Sequence, residues 1–302
     1  MLTRRHIDRV VAAALDEDAP WGDLTSRYLI PEDAVATADL VAREPGVFSG
    51  GEVFAAAFAL TDPAVAVRLH RRDGESFAAG DVLATVAGPA RAVLTAERVG
   101  LNFVQRMSGT PSGSSSAPSV RASTPARTAA GRKTTPGLRA LERHAVRSGG
   151  GRNHRYSLSD AVMAKDNHLA VLTAGGADVT GALRTALAEL PHTAHIEVEV
   201  DRLDQIEPVL AASTAAARIG TIMLDNFSLD DLRAGVAQVA GRATVEASGG
   251  VGLETVAAIA ATGVDVISVG ALTHSAGALD LGLDARIAGG DGGAAATSTP
   301  AG

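Results

Sequence analysis

The chain contains no cysteine in 302 residues. That excludes disulfides, thiolate metal centres and a cysteine nucleophile, and it fits a reducing compartment. Aromatic residues make up only 3%, so a core has to be filled with aliphatic side chains. No apolar run approaches the ~20 residues that a membrane span needs. The opening Met1-Leu2-Thr3-Arg4-Arg5-His6 leads into an amphipathic helix, not into the apolar core of a signal peptide. A soluble cytoplasmic protein is the expectation. Positive balance is missing too: the formal charge is −7, which leaves no broad basic face for nucleic acid.

Against that acidic background the cations are concentrated. Arg98, Arg132, Lys133, His154, Arg155, Lys165 and His168 all fall between positions 98 and 168. Most sit in unusual strings: Arg132-Lys133-Thr134-Thr135-Pro136-Gly137, Asn153-His154-Arg155 and Lys165-Asp166-Asn167-His168. A local basic cluster on an acidic chain points to a pocket for a small, multiply anionic ligand.

With 46% apolar residues, the length suits one large domain and a smaller one. Ile7, Val10, Val11, Ala14 and Leu15 recur at helical spacing, predicting a helix over 5–16. Residues 36–95 read as short strands (36–42, 64–69, 82–86) and one helix (50–60), a small α+β domain. A helix over 95–107 carries Glu97 and Arg98. From 161 onward strand and helix alternate. Strands are expected at 161–165, 195–200, 220–225, 244–248 and 264–270, with helices near 180–190, 203–214, 228–239 and 253–262. Glu199, Asp225, Ser248 and Gly270 end four of these strands at spacings of 26, 23 and 22 residues. Such a period is one βα unit repeated, hence a parallel sheet. In Ile196-Glu197-Val198-Glu199-Val200 the aliphatics would face helices and the carboxylates the lumen of a barrel. A doubly wound sheet would bury both faces in apolar side chains.

Working groups of a βα barrel lie at the C-terminal ends of its strands, and phosphate binds the loops after the last two. Ser248-Gly249-Gly250 and the loop at Gly270 occupy those places, and glycines let backbone N–H groups approach an anion closely. Glu199 and Asp225 suit Mg²⁺ carried with a phosphorylated substrate, directly or through water, or else ribose hydroxyls. Glu197, one layer deeper, reads as structural. For Lys165 three roles stay open: a Schiff-base nucleophile, a partner of Glu197 or Glu199, or an anion anchor. His154 and His168 draw their interest from their neighbours, and His274 is a weaker candidate. Arg98 precedes the barrel, so it reaches the pocket only from the small domain, its own or a second subunit's.

Taken together these strings make the chain resemble the quinolinate phosphoribosyltransferases, the carboxylating nicotinate-nucleotide pyrophosphorylases of NAD synthesis. The resemblance covers residues 5–285. It is carried by Gly22-Asp23-Leu24-Thr25, Ala96-Glu97-Arg98, Arg132 to Arg139, Gly149 to Arg155, Lys165 to His168, Leu224-Asp225-Asn226-Phe227, Glu246 to Gly250 and Gly270 to His274. It implies an α/β fold, an open TIM-like α/β barrel (109–272) with a small N-terminal α+β sandwich domain (1–108, joined by the C-terminal return 273–286), then a disordered tail (287–302). It also implies a homodimer in which Arg98 enters from the partner subunit. Arg98, Arg132, His154, Arg155 and Lys165 would bind the two carboxylates of quinolinate. Lys133, Glu199, Asp225 and Asn226 would hold phosphoribosyl pyrophosphate with its Mg²⁺, and Ser248, Gly249, Gly250 and Gly270 the 5′-phosphate. Lys165, Glu199 and Asp225 would be catalytic. A paralogue with another substrate and a non-catalytic remnant are the alternatives.

Residues 110–131 depart from the pattern. Relatives place an apolar helix and the first barrel strand, ending in Asp-Thr, where this chain has six Ser, five Ala and a single Val, ending Ala130-Gly131. By composition the stretch is a flexible linker. Length is kept while composition is replaced, as two compensating frame shifts or a sequencing error in a GC-rich gene would leave it; resequencing tests this. Losing three to five buried aliphatics, at roughly 1.5–3 kcal/mol each, predicts weak folding.

Overall fold

The alternation in Val35–Ala42 becomes the central strand of a small sheet. In the computed structural model, which describes residues 2–113, 126–252, 254–270 and 277–288, the chain forms two compact units. One comprises Met1–Gly109 with Ala278–Gly302, the other Thr110–Gly277.

In the first unit, β1 (Val35–Ala42) lies between β13 (Leu281–Ala288) and β5 (Val82–Pro89), and β3 (Ala66–Leu69) pairs with β5, all antiparallel. Two short strands, β2 (Gly46–Val47) and β4 (Ser76–Phe77), form a separate pair. Ala36, Ala38, Leu40 and Ala42 of β1 are buried, as a period of two requires. Helix α1 (Arg4–Asp18) begins where the Thr3 side chain accepts the His6 N–H, and it buries Ile7 and Val11. A further helix, α2 (Leu24–Leu29), is capped by Asp23, whose carboxylate accepts the Ser26 N–H. Helix α3 (Gly51–Thr61) contributes Phe54 and Phe58, packed edge to face with centroids 4.9 Å apart. Helix α4 (Ala90–Gly113) buries Val93, Ala96, Val104 and Met107 and is longer at both ends than the 95–107 expected from pattern.

The second unit is a parallel sheet of seven strands in the order β7-β6-β12-β11-β10-β9-β8. These are β6 (Arg127–Ala130), β7 (Arg152–Asn153), β8 (Val162–Ala164), β9 (Ile196–Val200), β10 (Thr221–Asp225), β11 (Thr244–Ser248) and β12 (Val266–Ser268). Chain order is kept around the sheet, because β12 pairs with β6. The one break falls between β7 and β8, so the sheet is an open barrel. Helices α5 (Arg139–Ser148), α6 (Asp166–Thr173), α7 (Val179–Ala188), α8 (Ile206–Leu210), α9 (Leu229–Val239) and α10 (Val256–Ala260) connect the strands. Their apolar stripes meet the outward faces: Leu183, Leu187, Leu232, Val239 and Ile259 share one core with Ile196, Val198, Val200, Ile222, Leu224 and Ile267. Glu197 and Glu199, alternating with those aliphatics, point to the other face.

Four expectations need correction. Residues 110–131 are not a linker throughout. Their first residues complete α4, and Arg127–Ala130 is an interior strand, hydrogen-bonded to β12 on one side and β7 on the other. Two backbone ladders hold it, and Ala129 and Ala130 are buried with Thr128. Small side chains suffice where pairing is satisfied on both edges. Residues 114–125 lie outside the described residues. Second, the helix expected over 203–214 shrinks to a 3₁₀ turn at Leu203–Gln205 and five residues of α8, since Pro208 and the Ser213-Thr214 pair compete with a long helix. Third, the strand expected over 264–270 is shorter: Val266–Ser268 form it, the Val269 N–H still donates to the Ala129 carbonyl at 2.8 Å, and Gly270 already turns. Fourth, residues 287 and 288, expected in the tail, belong to β13; positions 289–302, like His274, lie outside the described residues. Among those residues no helix is long and apolar enough to cross a membrane.

Candidate active site

Most candidates in the second unit lie at or just past the C-terminal end of a parallel strand. Arg132 and Lys133 follow β6, His154 and Arg155 follow β7, and Lys165 follows β8. Glu199 is the penultimate residue of β9, Asp225 ends β10 and Asn226 follows it, Ser248 ends β11, and Gly249, Gly250 and Gly270 follow β11 and β12. Parallel strands in register bring these ends to one rim. Thus Asp225 sits opposite Ser248, and Met223 opposite both Glu199 and Glu246.

Two cation–carboxylate pairs form across this rim. Lys165 Nζ donates to Glu199 Oε2. His154 Nε2 lies 2.7 Å from Glu197 Oε2 and 3.7 Å from Glu246 Oε2. Glu197 and Glu246 are almost fully buried. The hydrogen bond to Glu197 is the main force raising the His154 pKa, with burial opposing and both carboxylate charges assisting. Burial, with the Glu197 charge beside it, pushes the Glu246 carboxyl up to about 7, while the Ser268 hydroxyl and His154 work against this. Two buried carboxylates in such proximity keep a proton more tightly than either would alone. His154, Glu197 and Glu246 also have one ligand atom each within 4.8 Å of one another.

The arginines are less satisfied. Arg155 Nη1 donates to the Ala161 carbonyl at 2.8 Å. Its Nε, and that of Arg132, are buried without a hydrogen-bond partner among the described residues. Burial, and then the charge of Arg132, lower the pKa of Arg155. Two partly desolvated guanidiniums near one another have the charge and donors to take an anion. The loop bearing Arg132 is held from below, where the buried Glu142 accepts the Thr135 N–H at 3.1 Å.

At the opposite part of the rim, Asn226 adopts a left-handed backbone (φ 57). Its side-chain amide donates to Asp225 Oδ2 at 2.7 Å and its N–H to the Ser248 carbonyl at 2.9 Å. Gly249 (φ +91) presses against it: a Cβ there would stand 2.2 Å from Asn226 Oδ1 and 2.8 Å from its backbone nitrogen. Only glycine meets both requirements.

Lys133, next to Arg132 after β6, is exposed. Two candidates fall elsewhere. His168 accepts the Lys165 N–H at Nδ1, 3.1 Å, as part of the cap of α6. Arg98 lies on α4, where it lines a cleft of about 400 Å³ in the first unit with Asp18, Asp23, Leu24 and Thr95. Glu197, expected to be structural, is buried and paired with His154, and Glu246 and Ser268, which the sequence did not single out, lie beside it. The available signal was alternation: Glu246 is two residues before Ser248 and so shares its face.

The comparisons with known proteins agree with this geometry. The family model for the quinolinate phosphoribosyl transferase C-terminal domain matches residues 114–284, and that for the N-terminal domain matches residues 23–108. A nicotinate-nucleotide pyrophosphorylase [carboxylating] of Mycobacterium leprae is 41% identical over 91% of this chain and 95% of its own. The probable enzyme of that name from Bacillus subtilis is 38% identical over 90% of each. The crystal structure of NadC from Streptococcus pyogenes superposes with a TM-score of 0.88 at 37% identity, covering 96% of this chain and 99% of its own. The chain belongs to the quinolinate phosphoribosyl transferase family.

Proposed function

We propose that this protein transfers the phosphoribosyl group of phosphoribosyl pyrophosphate to quinolinate with loss of CO₂, giving nicotinate mononucleotide and pyrophosphate in de novo NAD synthesis. The observation that carries the reading is the pairing, on one rim, of two incompletely satisfied arginines with an acidic and glycine-lined edge. A dicarboxylate needs the first and a phosphorylated sugar the second.

Arg132, Arg155 and Lys165 hold the two carboxylates and aim the pyridine nitrogen at C1 of the ribose, a positioning effect with a large entropic return. As the C1–O bond breaks, its electrons leave with pyrophosphate and positive charge grows on the ribose. The carboxylates of Asp225 and Glu199 face that charge. The nitrogen lone pair then forms the new C1–N bond. Once that nitrogen is quaternary, the bond from C2 to its carboxylate breaks, its electrons remain on C2 beside the positive nitrogen, CO₂ departs, and a proton takes its place. A Lys165 ammonium engaged by Glu199 suits anchoring rather than Schiff-base chemistry, which needs a neutral amine.

Asp225 fits a hard cation: it is half-buried at the rim and offers carboxylate oxygen next to Asn226. Glu199 is more enclosed and committed to Lys165, which suits contact through water. Mg²⁺ bound there with phosphoribosyl pyrophosphate supplies charge neutralisation of the leaving group. A homodimer with Arg98 supplied in trans is the assembly we propose. It is supported by Trp21, Leu24, Tyr28 and Leu29, four large apolar side chains left 66–90% exposed within nine positions of the first unit, more than a lone monomer usually shows. A cytoplasmic setting accords with the cysteine-free composition.

The test is release of labelled CO₂ from carboxyl-labelled quinolinate. It should require phosphoribosyl pyrophosphate, and nicotinate should not replace quinolinate as acceptor; equal use of nicotinate would favour a paralogous activity. A variant probes the phosphate edge. Gly249→Ala would force a left-handed alanine, costing about 1–2 kcal/mol, and would displace Asn226 from Asp225. The KM for phosphoribosyl pyrophosphate should rise roughly tenfold or more, with that for quinolinate little changed.

A further inference from the structure

The chain from Arg132 to Leu138 is folded into two consecutive turns. The Thr134 N–H donates to the Arg132 carbonyl at 2.9 Å, which leaves Lys133 at the apex of the first. Thr135-Pro136-Gly137-Leu138 is the second, closed by the Leu138 N–H on the Thr135 carbonyl at 3.0 Å. Gly137 takes a left-handed backbone (φ 80) at the third position, as a type II turn with proline second requires. Helix α5 starts at the next residue, Arg139.

Two side chains of α5 reach back into the loop they follow. Glu142 is only 3% exposed, and its Oε2 accepts the Thr135 N–H at 3.1 Å. A carboxylate so enclosed is costly unless donors meet it, and this donor is the backbone two positions after Lys133. Arg139 Nε donates to Thr134 Oγ1 at 3.1 Å, and its Nη1 donates to the Tyr156 carbonyl at 3.2 Å. Three residues apart on a helix, Arg139 and Glu142 lie on one face. They hold neighbouring residues of one turn, Thr134 by its hydroxyl and Thr135 by its N–H.

We infer that Glu142 and Arg139 are positioning residues: from the start of α5 they fix the backbone at Thr134 and Thr135, and so set the direction in which Arg132 and Lys133 present their charge. The inference rests on the proposed quinolinate reaction and adds to its site two residues that act through the loop after β6.

Two substitutions at one position isolate the hydrogen bond. Glu142→Gln and Glu142→Met both delete the negative charge, and only glutamine keeps an acceptor for the Thr135 N–H. The KM values of Glu142→Met for quinolinate and for phosphoribosyl pyrophosphate should each exceed those of Glu142→Gln by roughly tenfold, the scale of a buried donor left unpaired. Glu142→Gln should not exceed the parent, since it keeps the acceptor and removes a negative charge near two anion sites. Equal KM values for the two variants, with only the unfolding temperature of Glu142→Met lowered, would mean a purely structural role and overturn the inference. Arg139 is checked through its acceptor. Arg139→Met and Thr134→Val should raise the same two KM values alike, and the double variant should be no worse than either. Additive losses, or a harmless Thr134→Val, would mean that Arg139 meets an anion directly and would reject its positioning role. Arg139 is half-buried at the start of its helix, so this cycle decides should Glu142→Met fail to fold. If the wild-type chain turns over no quinolinate at all, the functional reading falls and takes this inference with it. Turnover in which Glu142→Met and Arg139→Met both keep the parent KM values rejects the inference alone.

Discussion

Arg155→Ala should raise the KM for quinolinate roughly a hundredfold or more, the usual consequence of removing one partner of a buried charged pair, and should leave the KM for phosphoribosyl pyrophosphate close to its original value. The guanidinium is fixed at one corner by the Ala161 carbonyl, and its Nε is buried with no hydrogen-bond partner among the described residues. Burial and the neighbouring Arg132 both make its charge harder to keep. A bound carboxylate relieves both penalties together, so the ligand gains more from this arginine than from an exposed one. Arg155→Lys should recover little, because an ammonium cannot hold the Ala161 carbonyl and a carboxylate in one plane. Steady-state kinetics with each substrate varied separately makes the check. A quinolinate KM within threefold of the original would remove Arg155 from the site.

The strand ends were readable because they are built by period. Glu199, Asp225 and Ser248 recur at the spacing of a βα unit, and the structure sets Asp225 directly opposite Ser248. The alternation of Ile196 to Val200 correctly sent the aliphatics to the core and the carboxylates inward. What failed was anything depending on non-local partners. That Glu197 serves His154 while Glu199 serves Lys165 follows from the tilt and curl of the sheet, not from spacing. The cap formed by Asp23 could have revealed α2, but six residues carry too little periodicity to be noticed.

The stretch before Arg132 shows a different limit. Propensity gives Thr128-Ala129-Ala130 no claim to be a strand, yet it pairs with β12 and β7 at once. Tertiary pairing overrides intrinsic preference when both neighbours already exist. The composition still has a consequence, since alanines bury less apolar area than the valines and isoleucines suited to an interior parallel strand. A low unfolding temperature remains the expectation for this chain, and a sharp, high-temperature transition would contradict it.

Stability should also fall as pH rises from about 5 to 8, and Glu246→Gln should remove most of that fall. The Glu246 carboxyl is held at about 7 in the folded protein against an ordinary value of 4.5. The folded state therefore binds this proton more tightly than the unfolded chain. Below the ordinary value both states are protonated and nothing is lost. Between the two values the unfolded chain gives up its proton first, so each step in pH favours unfolding, and the loss is complete above the folded value. A difference of that size corresponds to roughly 3 kcal/mol. His154 acts in the same direction: its pKa is raised by Glu197, so the stability from its charged form is likewise lost as pH rises through the folded value. A glutamine at 246 can still accept from the Ser268 hydroxyl but has no proton to lose. The variant should match the parent near pH 5 and exceed it at pH 8, by several degrees in unfolding temperature for a domain of this size. Parallel pH profiles for the two proteins would mean that Glu246 is ionised in both states, and that burial and the Glu197 charge do not hold its proton.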